Sequence, residues 1–199
     1  MAVKDPKAKV DGNRVITGKV RISFPKLFRP NQSTNDAGEP VGDPKYSVLI
    51  LIPKENDGGT LRAMRAAQKA ALTEFKERYG RPAPRDYDTI HDCDEEDDLD
   101  QYPEREGHYR VSLSSVRKPG VVDVLKNVID SPDEVYSGCY VRVATDCYPY
   151  SGKQKKGITF GLQHVQKLAD GEPLGGVGSK AEDVFDDLDV DFDDDDDLV

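Results

Sequence analysis

Several things are missing from this 199-residue chain. No stretch reaches the roughly 18 apolar residues a membrane helix needs. The opening MAVKDPKAKVDGN lacks the apolar core of a secretory leader. There is no GxxxxGK[ST], no GxGxxG after a strand and no GxSxG, so nucleotide-hydrolase, dinucleotide and serine-hydrolase chemistries have no foothold. Cysteine is scarce: Cys93, Cys139 and Cys147 are odd in number and share no CxxC spacing, which predicts free thiols in a reducing cytoplasm. His91 and Cys93 lie close together, but no second ligand pair follows at finger spacing, so no metal and no cofactor are expected. The histidines, His91, His108 and His164, have no adjacent nucleophile, and no catalytic residue is assigned.

What is present is charge, unevenly laid out. The formal net charge is −10. Residues 181–199 hold 11 acidic residues and no Lys or Arg, and residues 86–106 hold another 11 with one Arg. The remainder carries 27 Lys+Arg against 16 Asp+Glu, a body of +11. A basic body with two acidic appendages suits a polyanion binder better than an acidic globule. Runs of like charge repel themselves and bury almost nothing, so both acidic segments are expected to be solvated strings.

The body reads as β. RVITGKVRISF (residues 14–24) alternates, with Ile16, Val20, Ile22 and Phe24 on a core face and Thr17, Lys19, Arg21 and Ser23 on a basic outer face. Pro25 and Pro30 should end it, leaving residues 31–44 as a polar loop. KYSVLILIPK (45–54) is apolar on both faces, as a strand covered on both sides would be. A helix is predicted over 60–79, closed by Gly80, with Leu61, Met64, Ala67, Ala71, Phe75 and Tyr79 on one stripe. Its Arg62, Arg65, Lys69 and Lys76 read as a solvated face. Three more strands follow in GHYRVSLSSV, CYVRVATDCYPY and ITFGLQHVQKL. A turn-rich stretch precedes CYVRVATDCYPY, and the basic turn SGKQKKG precedes ITFGLQHVQKL. Five strands, one substantial helix after the second and long loops predict a mainly β, five-stranded oligonucleotide-binding (OB) barrel. Residues 1–13 would be an arm, 14–176 the domain with 86–106 inserted as a loop, and 177–199 a disordered acidic tail behind a Gly-rich linker.

In CYVRVATDCYPY, Cys139, Val141, Val143 and Cys147 face one way, while Tyr140, Arg142, Ala144, Asp146 and Tyr148 face the other. Tyrosines on a non-core face suit base stacking, worth about 1–3 kcal/mol per base whatever its identity. Arg142 between them can pair with a phosphate or stack. The next turn adds Tyr150, Lys153, Lys155 and Lys156; the first strand adds Lys19 and Arg21, and the third Arg110. The bland alternative for Tyr140 and Tyr148 is packing beneath a long loop. The tail then reads as a tethered polyanion that stands in for phosphates at high effective concentration. Displaced by nucleic acid, it would offer Phe185, Phe192, Leu198 and Val199 as apolar anchors for a protein partner.

PKYSVLILIPK (44–54), KPGVVD (118–123) and above all YSGCYVRVATDCYPYSGKQKKGITFGLQHVQKLADGEPLGG (136–176) resemble single-stranded DNA-binding proteins of tailed phages, a family long labelled as of unknown function. The resemblance spans residues 14–176. It implies an OB-fold, sequence-independent binding of single-stranded DNA, a role in phage replication or recombination in the host cytoplasm, and neither catalysis nor cofactor. The acidic tail is similar to those of other phage and bacterial single-strand binders, which often end in an aromatic residue. This chain ends Leu198-Val199, and Phe192 could substitute. Replication or recombination proteins are the expected tail partners, no membrane is expected, and a homodimer is left open. Two alternatives stay open: an acidic interaction hub or DNA mimic aimed at a host nucleic-acid enzyme, and a metal-dependent nuclease using the carboxylates of residues 92–100.

Overall fold

The computed structural model describes residues 5–35, 37–84, 88–151 and 156–174. Strands β1 (Lys9–Asp11) and β2 (Arg14–Ile16) form a small hairpin. Strands β3 (Val20–Thr34) and β4 (Pro40–Pro53) follow, then helix α1 (Thr60–Tyr79). The acidic segment contributes β5 (His91–Asp92) and the short helix α2 (Cys93–Glu96). Strands β6 (His108–Ser115), β7 (Gly120–Val122), β8 (Tyr140–Ser151) and β9 (Lys156–Ala169) complete the order.

Five strands close on themselves. β3 pairs with β4 and β8, β4 with β6, β6 with β9, and β9 with β8. All these pairings are antiparallel except β6–β9, which is parallel at Ser114↔Gly161. This is a closed OB-type barrel, and each of its strands carries one of the five expected segments. The short β7 lies parallel to β9 within what reads as a turn-rich connection. The interior takes Val20 and Ile22, then Val48, Ile50 and Ile52, then Val111 and Leu113, with Val141, Val143 and Cys147 from β8. Leu51, of opposite parity on β4, is also fully buried, as the two-faced apolar run requires. Helix α1 adds Met64, Ala67, Ala71 and Phe75 to the same core. Its end falls at Gly80, whose left-handed backbone (φ 66°) turns its N–H onto the Lys76 carbonyl.

Residues 14–24 depart from a single alternating strand. The inward parity switches at Gly18: Val15 and Thr17 are buried before it, Val20 and Ile22 after it. Thr17, expected outside, is fully buried and accepts the Val143 N–H at 2.8 Å, while Ile16 is half-buried. Ser23 is buried and Phe24, expected in the core, is 53% exposed. Residues 31–44 are not a loop. β3 and β4 continue as a ribbon around a turn in which the Asn35 side chain accepts the N–H groups of Ala37 and Glu39. The prolines are tolerated because the register shifts three times along this ribbon, and a bulged pair needs fewer donors.

The acidic segment is not a solvated string either. Ile90 and Cys93 are buried, and β5 pairs with β6 at His91↔Arg110. Lys54 binds both Asp92 and Asp94, and Asp97, only 5% exposed, binds Arg105 and Arg110. Self-repulsion along the sequence is offset by Lys54, just past β4, by Arg110 of β6 and by the segment's own Arg105.

Gly18 is the hinge of the N-terminal strands, and its lack of a side chain is a packing requirement. A Cβ there would lie 2.9 Å from the Pro6 carbonyl, 3.0 Å from Thr60 Oγ1 and 3.1 Å from the Asp57 carbonyl. The Gly18 N–H also donates to Thr60 Oγ1 at the start of α1. Gly18→Ala should therefore lower unfolding stability by about 1–3 kcal/mol, the usual cost of overpacking, read as a shift in the urea midpoint.

Candidate nucleic-acid interface

Along β8 the odd-numbered residues from Cys139 to Pro149 are buried, and the even-numbered ones from Tyr140 to Tyr150 are half-buried or exposed. The expected outer face is therefore the observed one. It is not one continuous stripe. Tyr140 and Tyr148 are eight residues apart, about 26 Å at 3.3 Å per residue. Ala144 and Asp146 lie between, and Asp146 is engaged by Arg14 and Gln163.

At the first end, Tyr140 pairs across the sheet with Arg21. Lys19 Nζ and Arg21 Cζ stand 5.4 and 5.8 Å from its ring centroid, within cation–π range. Arg21 also donates to the Gly138 and Glu172 carbonyls, and Lys19 pairs with Asp5. Gly171 presses on the same ring, where a Cβ would come within 3.0 Å of Cε2. This end is a packed basic corner. Arg142, two residues on, is half-buried and pairs with Gln166.

At the second end, Tyr148 crosses β9 over Gly161, where a Cβ would meet its Cε1 at 2.8 Å. Tyr150 rests in the same way over Gly157. Glycines on the neighbouring strand let both rings approach it closely. Tyr148 stays 40% exposed. It borders a cavity of about 320 Å³ with Lys45, Arg117, Gly161 and Gln163. Lys156 sits 5.4 Å over the Tyr79 ring at the end of α1. Lys153 and Lys155, and the tail residues Phe185, Phe192, Leu198 and Val199, lie outside the described residues.

Arg110 faces a third place. Its Nε donates to both Asp97 oxygens at 2.7 and 2.9 Å, and Arg105 reaches the same carboxylate at 2.8 Å. Burial pushes the Asp97 carboxyl up, but the bonds from Arg110 and Arg105 outweigh it and hold it below the usual range. Burial, reinforced by Asp97, pushes the Cys93 thiol up to about 12, so this cysteine is not a nucleophile. The two arginines line a second cavity, of about 350 Å³, with Phe24.

The residues not foreseen are Lys45, Arg117 and Gln163 beside Tyr148, and Phe24, Tyr102 and Arg105 beside Arg110. Lys45 lies within β4 and Arg117 just past the end of β6, and only the pairing of the strands brings them to the tyrosine. Both cavities open on the β4–β6–β9 wall, the side on which OB barrels hold oligonucleotides.

A closed five-strand barrel with tyrosines and basic groups on this wall places the chain among OB-type barrels. The chain belongs to the family described as the Enterobacter phage Enc34 ssDNA-binding protein, whose model matches residues 13–199. The single-stranded DNA-binding protein of bacteriophage Enc34, solved in complex with ssDNA, is 26% identical with a TM-score of 0.69, covering 87% of this chain and 100% of that one. Putative protein p50 of Acyrthosiphon pisum secondary endosymbiont phage 1 is 29% identical over 182 residues, 88% of this chain and 94% of p50. The fold is shared more distantly by gp2.5, a single-stranded DNA-binding protein of bacteriophage T7, at 14% identity and a TM-score of 0.56, covering 89% of this chain and 96% of that one.

The Asp97 cluster yields a pH signature. A carboxyl held below its unfolded value of about 3.9 stabilises the fold at neutral pH, and that contribution is lost as pH falls through the folded value. Asp97→Asn should cost about 3 kcal/mol at pH 7, because it leaves two largely buried arginines without their partner. The gap from wild type should narrow below about pH 4, measured as urea midpoints across pH.

Proposed function

We propose that this chain binds single-stranded DNA without sequence preference, through phosphate contacts and base stacking on the outer wall of the barrel. The observation that carries the proposal is Tyr148, laid across Gly161 with 40% of its surface exposed and with Lys45 and Arg117 at its side. An aromatic face held flat on a sheet, with cations in reach, fits a base and its phosphate at once. The Enc34 relative solved with ssDNA supports the same assignment. Tyr140 with Lys19 and Arg21 at one end of β8, and Tyr150 with Lys156 at the other, extend the basic surface. Phage replication or recombination is the setting this activity would serve, in the host cytoplasm.

Asp92, Asp94 and Asp97 are engaged by Lys54, Arg105 and Arg110, so the acidic segment is poorly placed to act as a DNA mimic or a nuclease centre. The acidic tail is the competitor in this proposal. It competes with DNA for the basic surface, and once displaced it presents Phe185, Phe192, Leu198 and Val199 to partner proteins. The last described residue, Leu174, donates its N–H to the Ser137 carbonyl, close in sequence to Tyr140. The 25 residues after it could reach up to about 80 Å if extended, farther than the length of β8.

Fluorescence anisotropy with a labelled oligothymidylate tests both parts. Affinity should fall with salt at a log–log slope of about −0.7 per phosphate neutralised. Removing residues 181–199 should tighten binding, most at low salt. Equal affinity with and without those residues would end the competitor role and leave the binder standing. No binding at low salt would end both.

A further inference from the structure

Phe24 is a bulky residue in a backbone conformation it should avoid. Its φ is +49°, in the left-handed region, at a cost of about 1–2 kcal/mol for a residue other than glycine. Its N–H is held there by Ser137 Oγ at 2.9 Å. The conformation turns the ring outward, 53% exposed, against the alternation that would have buried it. Strain kept in order to expose an apolar ring points to a use for the ring.

Its surroundings are built rather than incidental. The Phe24 ring meets Tyr102 edge to face, with centroids 6.5 Å apart. Arg105 stacks on Tyr102, its guanidinium carbon 3.8 Å from the centroid. Arg105 and Arg110 are then fixed by Asp97. Tyr102, Arg105 and Asp97 all come from the acidic segment. The cavity they back holds about 350 Å³, with Ser47, Leu49 and Ser112 on its strand side. That is the lower end of small-ligand sites, about 300 Å³. Two guanidiniums against one carboxylate leave a single net positive charge on its wall. The buried Arg105 Nε has no hydrogen-bond partner among the described residues. Arg110 contacts Asp97 through Nε, and its terminal N–H groups make no hydrogen bond among the described residues.

We propose that Phe24 is the stacking platform for one base of the bound strand, in a one-nucleotide cavity whose wall is the folded acidic segment. The base lies on the Phe24 ring, and the adjoining phosphate meets Arg110 and Arg105. Asp97 holds both arginines in place and trims their charge to match one phosphate. The acidic segment thus serves the groove from within its wall. This site rests on the single-stranded DNA-binding activity proposed above and deepens it.

The test uses the full chain and a fluorescein-labelled oligothymidylate, titrated at several salt concentrations with wild type, Phe24→Gly and Phe24→Trp. Glycine accepts the left-handed backbone without strain, so Phe24→Gly should melt no lower than wild type. It should weaken binding by about 5- to 150-fold, the loss of one base stack, with the salt slope unchanged because the ring carries no charge. Phe24→Trp should bind as wild type does. The platform is overturned if Phe24→Gly binds like wild type, if the tryptophan variant is as weak as the glycine one, or if the loss comes with a shallower salt slope. A wild type that ignores the oligonucleotide sinks the underlying activity instead. A binding wild type with an indifferent Phe24→Gly sinks the platform alone.

Discussion

Everything on the outer wall depends on the burial of the other side of β8. Val141, Val143, Thr145 and Cys147 have no exposed surface, and the barrel interior they fill leaves no register in which they could turn out. A slip of one residue would exchange the two faces completely. The display of Tyr140, Arg142, Tyr148 and Tyr150 is thus a consequence of hydrophobic burial. Thr145 joins the interior only because its hydroxyl donates to the Gly161 carbonyl at 2.7 Å. That bond ties β8 to β9 at the glycine over which Tyr148 lies. One contact therefore links core, register and displayed ring.

The electrostatics follow a different logic from the one the net charge suggests. Of the two acidic segments, the internal one is folded into the body. Its carboxylates meet Lys54, Arg105 and Arg110, and its burial is anchored by Ile90 and Cys93. Buried ion pairs add little net stability against an apolar alternative, but breaking one is costly. Asp97 accordingly fixes the positions of two arginines beside the Phe24 cavity. The basic surface left over is graded: Lys19, Arg21 and Arg110 are partnered, whereas Lys45 and Arg117 carry no ion pair among the described residues.

Much of this was legible in the sequence because burial imposes periodicity. The two-residue alternation of residues 139–150 corresponds to what is observed, and the helical stripe ending at Gly80 does too; the run 45–54, expected to be covered on both sides, is covered on its inner face and only at Leu51 fully on its outer one. What was not legible came from long-range contacts. Gly18 changes the parity of the first strand because Pro6, Asp57 and Thr60 crowd it, and nothing nearby in the sequence announces them. Phe24 turns outward on a left-handed backbone, which a phenylalanine followed by proline does not advertise. The ribbon through residues 31–44 survives its prolines by bulging. The acidic segment folds because Lys54 reaches it from far back in the sequence and Arg110 from the next strand, alongside its own Arg105, so charge counting within the segment finds mostly repulsion.

The claim on which the rest stands is that nucleic acid lies on the β4–β6–β9 wall against the outer side of β8. Photocrosslinking addresses it directly. A single-stranded oligonucleotide carrying 5-iododeoxyuridine would be irradiated with the full-length protein, and the adducts mapped by mass spectrometry. Crosslinks at Tyr148 are the expected result. Crosslinks confined to the exposed face of α1 or to the Val124–Leu125 turn, with none on β8, would contradict it.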